Sequence, residues 1–153
     1  MKHSAGILLF RHRAGELEVF LVHPGGPFWA RKDAGAWSVP KGEYTSDEAP
    51  LDAARREFQE ELGAPALGPF LPLGEIRQPV KIVTAWACEQ DFDPALLKSN
   101  LCQMEWPPHS GVLRQFPEVD RGEWFRLPAA HEKIHPAQRA FLVRLQSVIS
   151  SAT

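Results

Sequence analysis

Fourteen prolines are spread along 153 residues, well above the roughly 5% of average usage. They follow no triplet period, so they mark many stiff connections in a folded chain and not a fibre. They also limit where helix can form, because an internal proline removes a backbone hydrogen bond and clashes with the preceding turn. Leu51 to Leu62 reads as the clearest helix, with Pro50 suited to its first turn and Gly63 to its stop. Pro65, Pro69 and Pro72 exclude helix directly after it and suggest an irregular strand. Ala137 to Ile149 reads as a closing amphipathic helix with Phe141, Leu142, Leu145, Val148 and Ile149 on its apolar side.

Strands account for most of the remainder. Ala5–Arg13 and Leu17–His23 flank Ala14-Gly15-Glu16 and read as a hairpin. A Gly/Pro loop follows from Pro24 to Trp29, and a short strand is expected over Trp37–Val39, ended by Pro40-Lys41-Gly42. Lys81–Glu89 is a strand; residues 91–117 read mostly as loop, with a short strand over Leu101–Trp106; Glu123–Leu127 is the last strand. No repeat or linker interrupts the chain, so one mixed α/β domain over residues 1–153 is expected.

The formal charge of −2 argues against a protein that grips nucleic-acid backbone by broad electrostatics. A phosphorylated small substrate stays open, because a bound metal can supply positive charge. Cys88 and Cys102 have no CxxC partner, which disfavours zinc and fits reduced thiols in the cytoplasm. The apolar run Ala5–Phe10 stops at Arg11, too short for a signal segment or a membrane span.

On a helical wheel, Leu51, Ala54, Phe58 and Leu62 share one side, while Glu57, Glu60 and Glu61 fall together on the adjacent one. The three carboxylates repel one another and lie near the helix C-terminus, where the macrodipole disfavours negative charge. A solvated acidic face helped by Arg55 and Arg56 is the plainer reading. A divalent cation is the sharper one, because hard oxygen ligands at this spacing suit Mg²⁺ or Mn²⁺ and the ion removes the repulsion.

The surrounding pattern decides between them. Gly42, Glu48, Arg56, Glu57, Glu60, Glu61 and Gly63 stand at the seven fixed positions of the Nudix box, here spanning residues 42–64. At residue frequencies of roughly 7% each, the chance of that coincidence is on the order of 10⁻⁸. The chain therefore resembles the Nudix hydrolases over nearly its whole length, with Ala64 where a larger aliphatic is usual. The resemblance implies an α/β/α sandwich around a central mixed sheet. It also implies metal-dependent hydrolysis of a phosphoanhydride bond in a nucleoside diphosphate joined to another group.

In family terms Glu57, Glu60 and Glu61 would hold Mg²⁺ (or Mn²⁺), with the Gly42 carbonyl as a further ligand. Arg56 would orient Glu57, and Glu48 would lie near the metals or support the loop. The family often adds a late glutamate as metal ligand or general base, and Glu105, Glu118 and Glu123 are the candidates. Glu118 is chosen because in similar chains that residue lies a few positions before an aromatic strand opening, here Trp124-Phe125. Lys41 offers a phosphate contact. Trp29 and Trp106 are candidates for stacking on a base, with packing as the alternative for each, and Arg31 and Lys32 for a polyphosphate tail.

Lys81–Ala87 followed by Asp91-Phe92-Asp93, together with Trp37–Gly42, looks most like the diadenosine tetraphosphate hydrolases. The insert from Trp106 to Phe116 departs from that group, and Pro79 is shared in kind with ADP-ribose pyrophosphatases. The expectation is an enzyme acting on a dinucleoside polyphosphate or nucleoside triphosphate, as a monomer or homodimer. An ADP-ribose-type pyrophosphatase, a non-catalytic nucleotide sensor and an RNA-end pyrophosphohydrolase are the alternatives.

Overall fold

A computed structural model of the chain describes residues 1–152. The elements run β1 (Lys2–Arg13), β2 (Glu16–Pro24), β3 (Lys41–Tyr44), α1 (Pro50–Leu62), β4 (Phe70–Gln78) and β5 (Lys81–Glu89). They continue with β6 (Leu101–Glu105), β7 (Leu113–Pro117), β8 (Val119–Arg126), α2 (Leu127–Lys133) and α3 (Arg139–Ala152).

β1 organises the sheet, whose order is β4-β5-β1-β2-β8 with β3 also on β1. One edge of β1 pairs in parallel with β5 from Lys2 to Phe10. The other edge is divided: β3 takes His3 to Gly6 and β2 takes Phe10 to Arg13, both antiparallel. The β1–β2 turn has positive φ at both Ala14 and Gly15, the geometry that matches the twist of paired strands.

Both faces of the sheet are covered, so β1 reads as a continuous apolar run. Ile7 and Leu9 pack with Phe58 and Leu62 of α1, whereas Leu8 and Phe10 pack with Phe141, Leu142 and Leu145 of α3. This is the expected α/β/α sandwich with a mixed sheet. Among the described residues no helix is long and apolar enough to cross a membrane.

Three local expectations are corrected. Trp37–Val39 is not a strand: Ser38 bridges Val22 and Trp37 bridges Ile134, each in isolation. Pro40 has no N–H to continue a ladder, so the strand starts at Lys41, where one was expected to end. The short strand expected over Leu101–Trp106 is present as β6, but Leu113–Pro117, expected as loop, is a strand too, and β6 and β7 pair as a separate sheet. The last strand begins at Val119, and α2 follows it, unforeseen.

Candidate functional site

α1 ends where its sequence says it should. Pro50 opens it, and Gly63 closes it at φ 82° with its N–H donating to the Gln59 carbonyl at 2.8 Å. The face it turns inward holds Ala53, Ala54, Phe58 and Leu62, and also Glu57 and Glu61. Leu51, expected on that face, is only half-buried, and Ala53 fills the place instead. Glu60 lies at the margin with its side chain 38% exposed.

β3 lies across this helix, and Gly42 is the point of closest approach. A Cβ at Gly42 would overlap the Glu57 carboxylate, so only glycine admits that side chain. Arg56 gathers the charges on the outer side. Its Nε and Nη2 donate to the two carboxylate oxygens of Glu48 at 2.8 and 2.9 Å, and its Nη1 donates to Glu57 Oε1 at 2.8 Å. The same Nη1 reaches Glu60 at 3.3 Å. The Glu48 hydrogen bonds hold the guanidinium more firmly charged than usual and hold Glu48 below the usual carboxyl range.

The inner carboxylates are in the opposite condition. Burial pushes Glu61 up to about 8, opposed by Lys41 and reinforced by Glu118 and Glu57. Burial also raises Glu57, against the pull of Arg56, and raises Glu118, with Glu60 adding repulsion. Three carboxylates from α1 and the β7–β8 bend thus sit where their charged forms are disfavoured. Glu61 and Glu118 share a cavity of about 110 Å³ with Lys41, Pro24, Ser38 and Val119. Glu61 Oε2 accepts from the Lys41 N–H at 3.1 Å.

Glu118 stands on a one-residue bend between β7 and β8. Its rivals face elsewhere. Glu105 accepts from the His109 N–H and closes the turn beyond β6, and Glu123 pairs with Leu21 across β2. Lys41 is lowered to about 8 by burial and by the nearby Lys81, and His135 is lowered by burial and by both lysines. Lys81 and His135, two residues the sequence reading passed over, therefore lie close to Lys41. The parallel β1–β5 pairing is what brings Lys81 there, and no local pattern signals it.

The proposed stacking residues lie on separate elements. Trp29 is half-buried and meets Phe28 edge-to-face at 5.0 Å, with the Lys32 ammonium 4.0 Å over the Phe28 ring. Arg31 is exposed beside them. Trp106 is half-buried at the end of β6, where its N–H donates to the Val112 carbonyl at 2.9 Å; it does not line the carboxylate cavity.

The donor set suits a hard divalent cation: buried oxygens, raised in pKa by desolvation and mutual repulsion, and a glycine that admits one of them to β3. Among the described residues no three His, Cys, Asp or Glu side chains already surround a common point. Arg56 and the Lys41 N–H engage Glu57, Glu60 and Glu61 separately.

The NUDIX domain family model matches residues 2–145. An RNA pyrophosphohydrolase of Bartonella henselae is 36% identical over 66 residues, covering 40% of this chain and 35% of that protein. The chain spans about a third of the length of the curated relatives it matches. Among solved structures, an Ap4A hydrolase binary complex from C. elegans superposes with a TM-score of 0.64 at 20% identity, covering 99% of both chains. The NUDIX domain of Shewanella oneidensis NrtR, complexed with ADP ribose, gives a TM-score of 0.63 at 14% identity, over 96% of this chain and 87% of that one. At these identities the structural likeness speaks for the fold.

Proposed function

The chain belongs to the NUDIX domain family, and from that premise we propose that it is a divalent-metal-dependent pyrophosphohydrolase. Its substrate is a nucleoside diphosphate joined to another group, a dinucleoside polyphosphate or a nucleoside triphosphate. The products are a nucleotide and a second phosphorylated fragment. The observation that carries this reading is the burial of Glu57 and Glu61 at one end of α1, with Glu118 beside Glu61 and the pKa of all three raised. Folding gains nothing from that arrangement, whereas a hard cation such as Mg²⁺ or Mn²⁺ relieves it.

Glu57, Glu60, Glu61 and Glu118, with the Gly42 carbonyl, are the groups that would hold the metal. When bound, the metal neutralises phosphate charge, polarises phosphorus and acidifies water. Arg56 holds Glu57 in one orientation, and Glu48 holds Arg56 by two parallel hydrogen bonds. Glu118 is the group we assign to accept the proton of the attacking water. Lys41, with Lys81 and His135 behind it, binds the phosphate oxygens that gain charge as the bridging bond breaks. Trp29 and Arg31 on the Gly/Pro loop, and Trp106 beyond β6, are the proposed contacts for the base and the far phosphates. Cys88 and Cys102 are both free, which suits work in the cytoplasm.

The match to an RNA pyrophosphohydrolase favours a second reading, a phosphorylated RNA 5′ end as substrate. One experiment addresses both. Purified protein with Mg²⁺ or Mn²⁺ is offered dinucleoside polyphosphates, ADP-ribose, nucleoside triphosphates and triphosphorylated RNA, and products are resolved by chromatography. Metal-dependent release of mononucleotide from a dinucleoside polyphosphate or a nucleoside triphosphate supports the first reading. Preferential release from RNA moves the assignment to the second. Turnover that persists in excess chelator, or no turnover of any substrate, contradicts the proposal.

A further inference from the structure

β2 and β8 lose register between His23 and Pro24. His23 faces Arg121 and Pro24 faces Val119, so Asp120 is the extra residue of a bulge. The bulge changes the phase of β8. Trp124 packs against the core under α1, and a regular strand would turn Val119, at an odd spacing from it, to the other face. Val119 instead joins that same core, and Glu118, next in the chain, stands at the cavity it shares with Glu61 and Lys41. The place of Glu118 therefore depends on the form of this bulge.

His23 spans it from the inside. The ring is fully buried, on a strand whose preceding residues Val19 to Val22 are all apolar and buried. Its Nδ1 lies 2.9 Å from Asp120 Oδ1, and its Nε2 lies 2.6 Å from the Lys32 carbonyl oxygen. Both ring nitrogens are thus taken up by hydrogen-bond partners. Such a group is costly to bury unless both bonds are made. Trp37 closes over the ring edge-to-face at 5.1 Å and carries Arg121 on its own ring at 5.2 Å.

Two residues further on, a second rung crosses the same gap. The Gly25 N–H donates to the Glu118 carbonyl at 2.9 Å, and a Cβ at Gly25 would overlap Pro117. The Glu118 N–H in turn donates to the Asn100 carbonyl at 2.9 Å, and the Asn100 N–H to the Glu60 carbonyl at 3.0 Å. Bonds thus run without a break from Glu118 to the metal-binding helix on one side, and the His23 pair fixes the other side.

We propose that His23 and Asp120 are positioning residues for Glu118: their pair fixes the β8 bulge and, through the Gly25–Glu118 rung, sets the Glu118 carboxylate at the site. This rests on the hydrolase reading of Glu118. The test uses Asp120→Ala, with Asp120→Asn as the variant that keeps the accepting oxygen, alone and combined with Glu118→Gln. Two quantities are read: hydrogen exchange at the Gly25 amide, which needs no catalysis, and kcat and KM on diadenosine tetraphosphate with Mg²⁺, or on the substrate the panel selects.

Asp120→Ala is expected to speed Gly25 exchange about tenfold and to lower kcat about 10- to 100-fold, the usual range for an outer partner of a metal site. KM stays within about twofold. Asp120→Asn restores most of both quantities. Adding Asp120→Ala to Glu118→Gln costs little more than Glu118→Gln alone, because both act through one carboxylate. Unchanged Gly25 exchange in Asp120→Ala overturns the proposal whatever happens to kcat. So does faster exchange with wild-type kcat, or fully additive losses in the double variant. If Glu118→Gln keeps wild-type kcat, the role given to Glu118 is what fails, and the catalytic meaning of the pair falls with it.

Discussion

α1 and α3 cover opposite faces of one sheet, and each turns a buried side to it. On α3 that side is Phe141, Leu142 and Leu145, all fully buried and all apolar. On α1 it is Ala53, Ala54, Phe58 and Leu62, with Glu57 and Glu61 buried among them. The last turn of α1 carries no basic residue to balance those acids. Core packing accounts for α3 completely. For α1 it accounts for four of the six buried residues, and the other two cost stability in the metal-free protein. The two helices therefore separate what holds the fold from what the fold is for.

The widest split between them is expected from Glu61→Gln. Loss of a group that acts on the transition state lowers kcat by about 10²- to 10³-fold or more, with far-UV circular dichroism unchanged. Phe141→Ala on α3 should do the reverse. Truncating a buried phenylalanine costs about 3–5 kcal/mol, read as a lower denaturation midpoint, while kcat per folded molecule stays at the wild-type value. If Phe141→Ala abolishes activity in folded protein, or Glu61→Gln unfolds the chain, the division of labour is wrong.

Arg56→Lys is a finer probe of the α1 side. Lysine cannot reproduce the paired hydrogen bonds to Glu48 while also holding Glu57. A drop in kcat of about 10- to 100-fold is expected, as for other partners that orient a metal ligand. Stability should change by less than about 1 kcal/mol, because Arg56 is partly exposed.

A further probe is pH dependence. Glu61 has an ordinary carboxyl value of 4.5 when unfolded and about 8 in the folded, metal-free protein. Between those values the folded state binds the extra proton, so this group lowers stability as pH rises from 4.5 towards 8. Subtracting the pH profile of Glu61→Gln from that of the wild type, both in chelator, should leave a difference that falls across that window. A flat or rising difference would mean that Glu61 is not desolvated as described.

How much of this was legible before folding depends on whether the signal is local. The ends of α1 were, because Pro50 and Gly63 act on their own turns, and so was the β1–β2 hairpin, where Ala14-Gly15 supplies two positive φ angles. β7 was not, since Leu113–Pro117 has little strand pattern of its own and is a strand only because β6 pairs with it. α2 is a seven-residue helix with Pro128 in its first turn, too short to show a period. The same division holds at the site. The spacing of Glu57, Glu60 and Glu61 is written into one helix, whereas Lys81 and His135 reach Lys41 through the sheet and the C-terminal layer. The bulge at Asp120 belongs to the pairing of β8 with β2, and nothing in residues 118–121 alone announces it.

The central claim is that the buried acids of α1 are kept for a cation, and thermal denaturation of wild type and Glu61→Gln, each with and without Mn²⁺, tests it most directly. The account predicts that Glu61→Gln is as stable as the wild type or more so in chelator, and that Mn²⁺ raises the midpoint of the wild type but not of the variant. A variant that is less stable without metal, yet gains from Mn²⁺ as much as the wild type does, would contradict it.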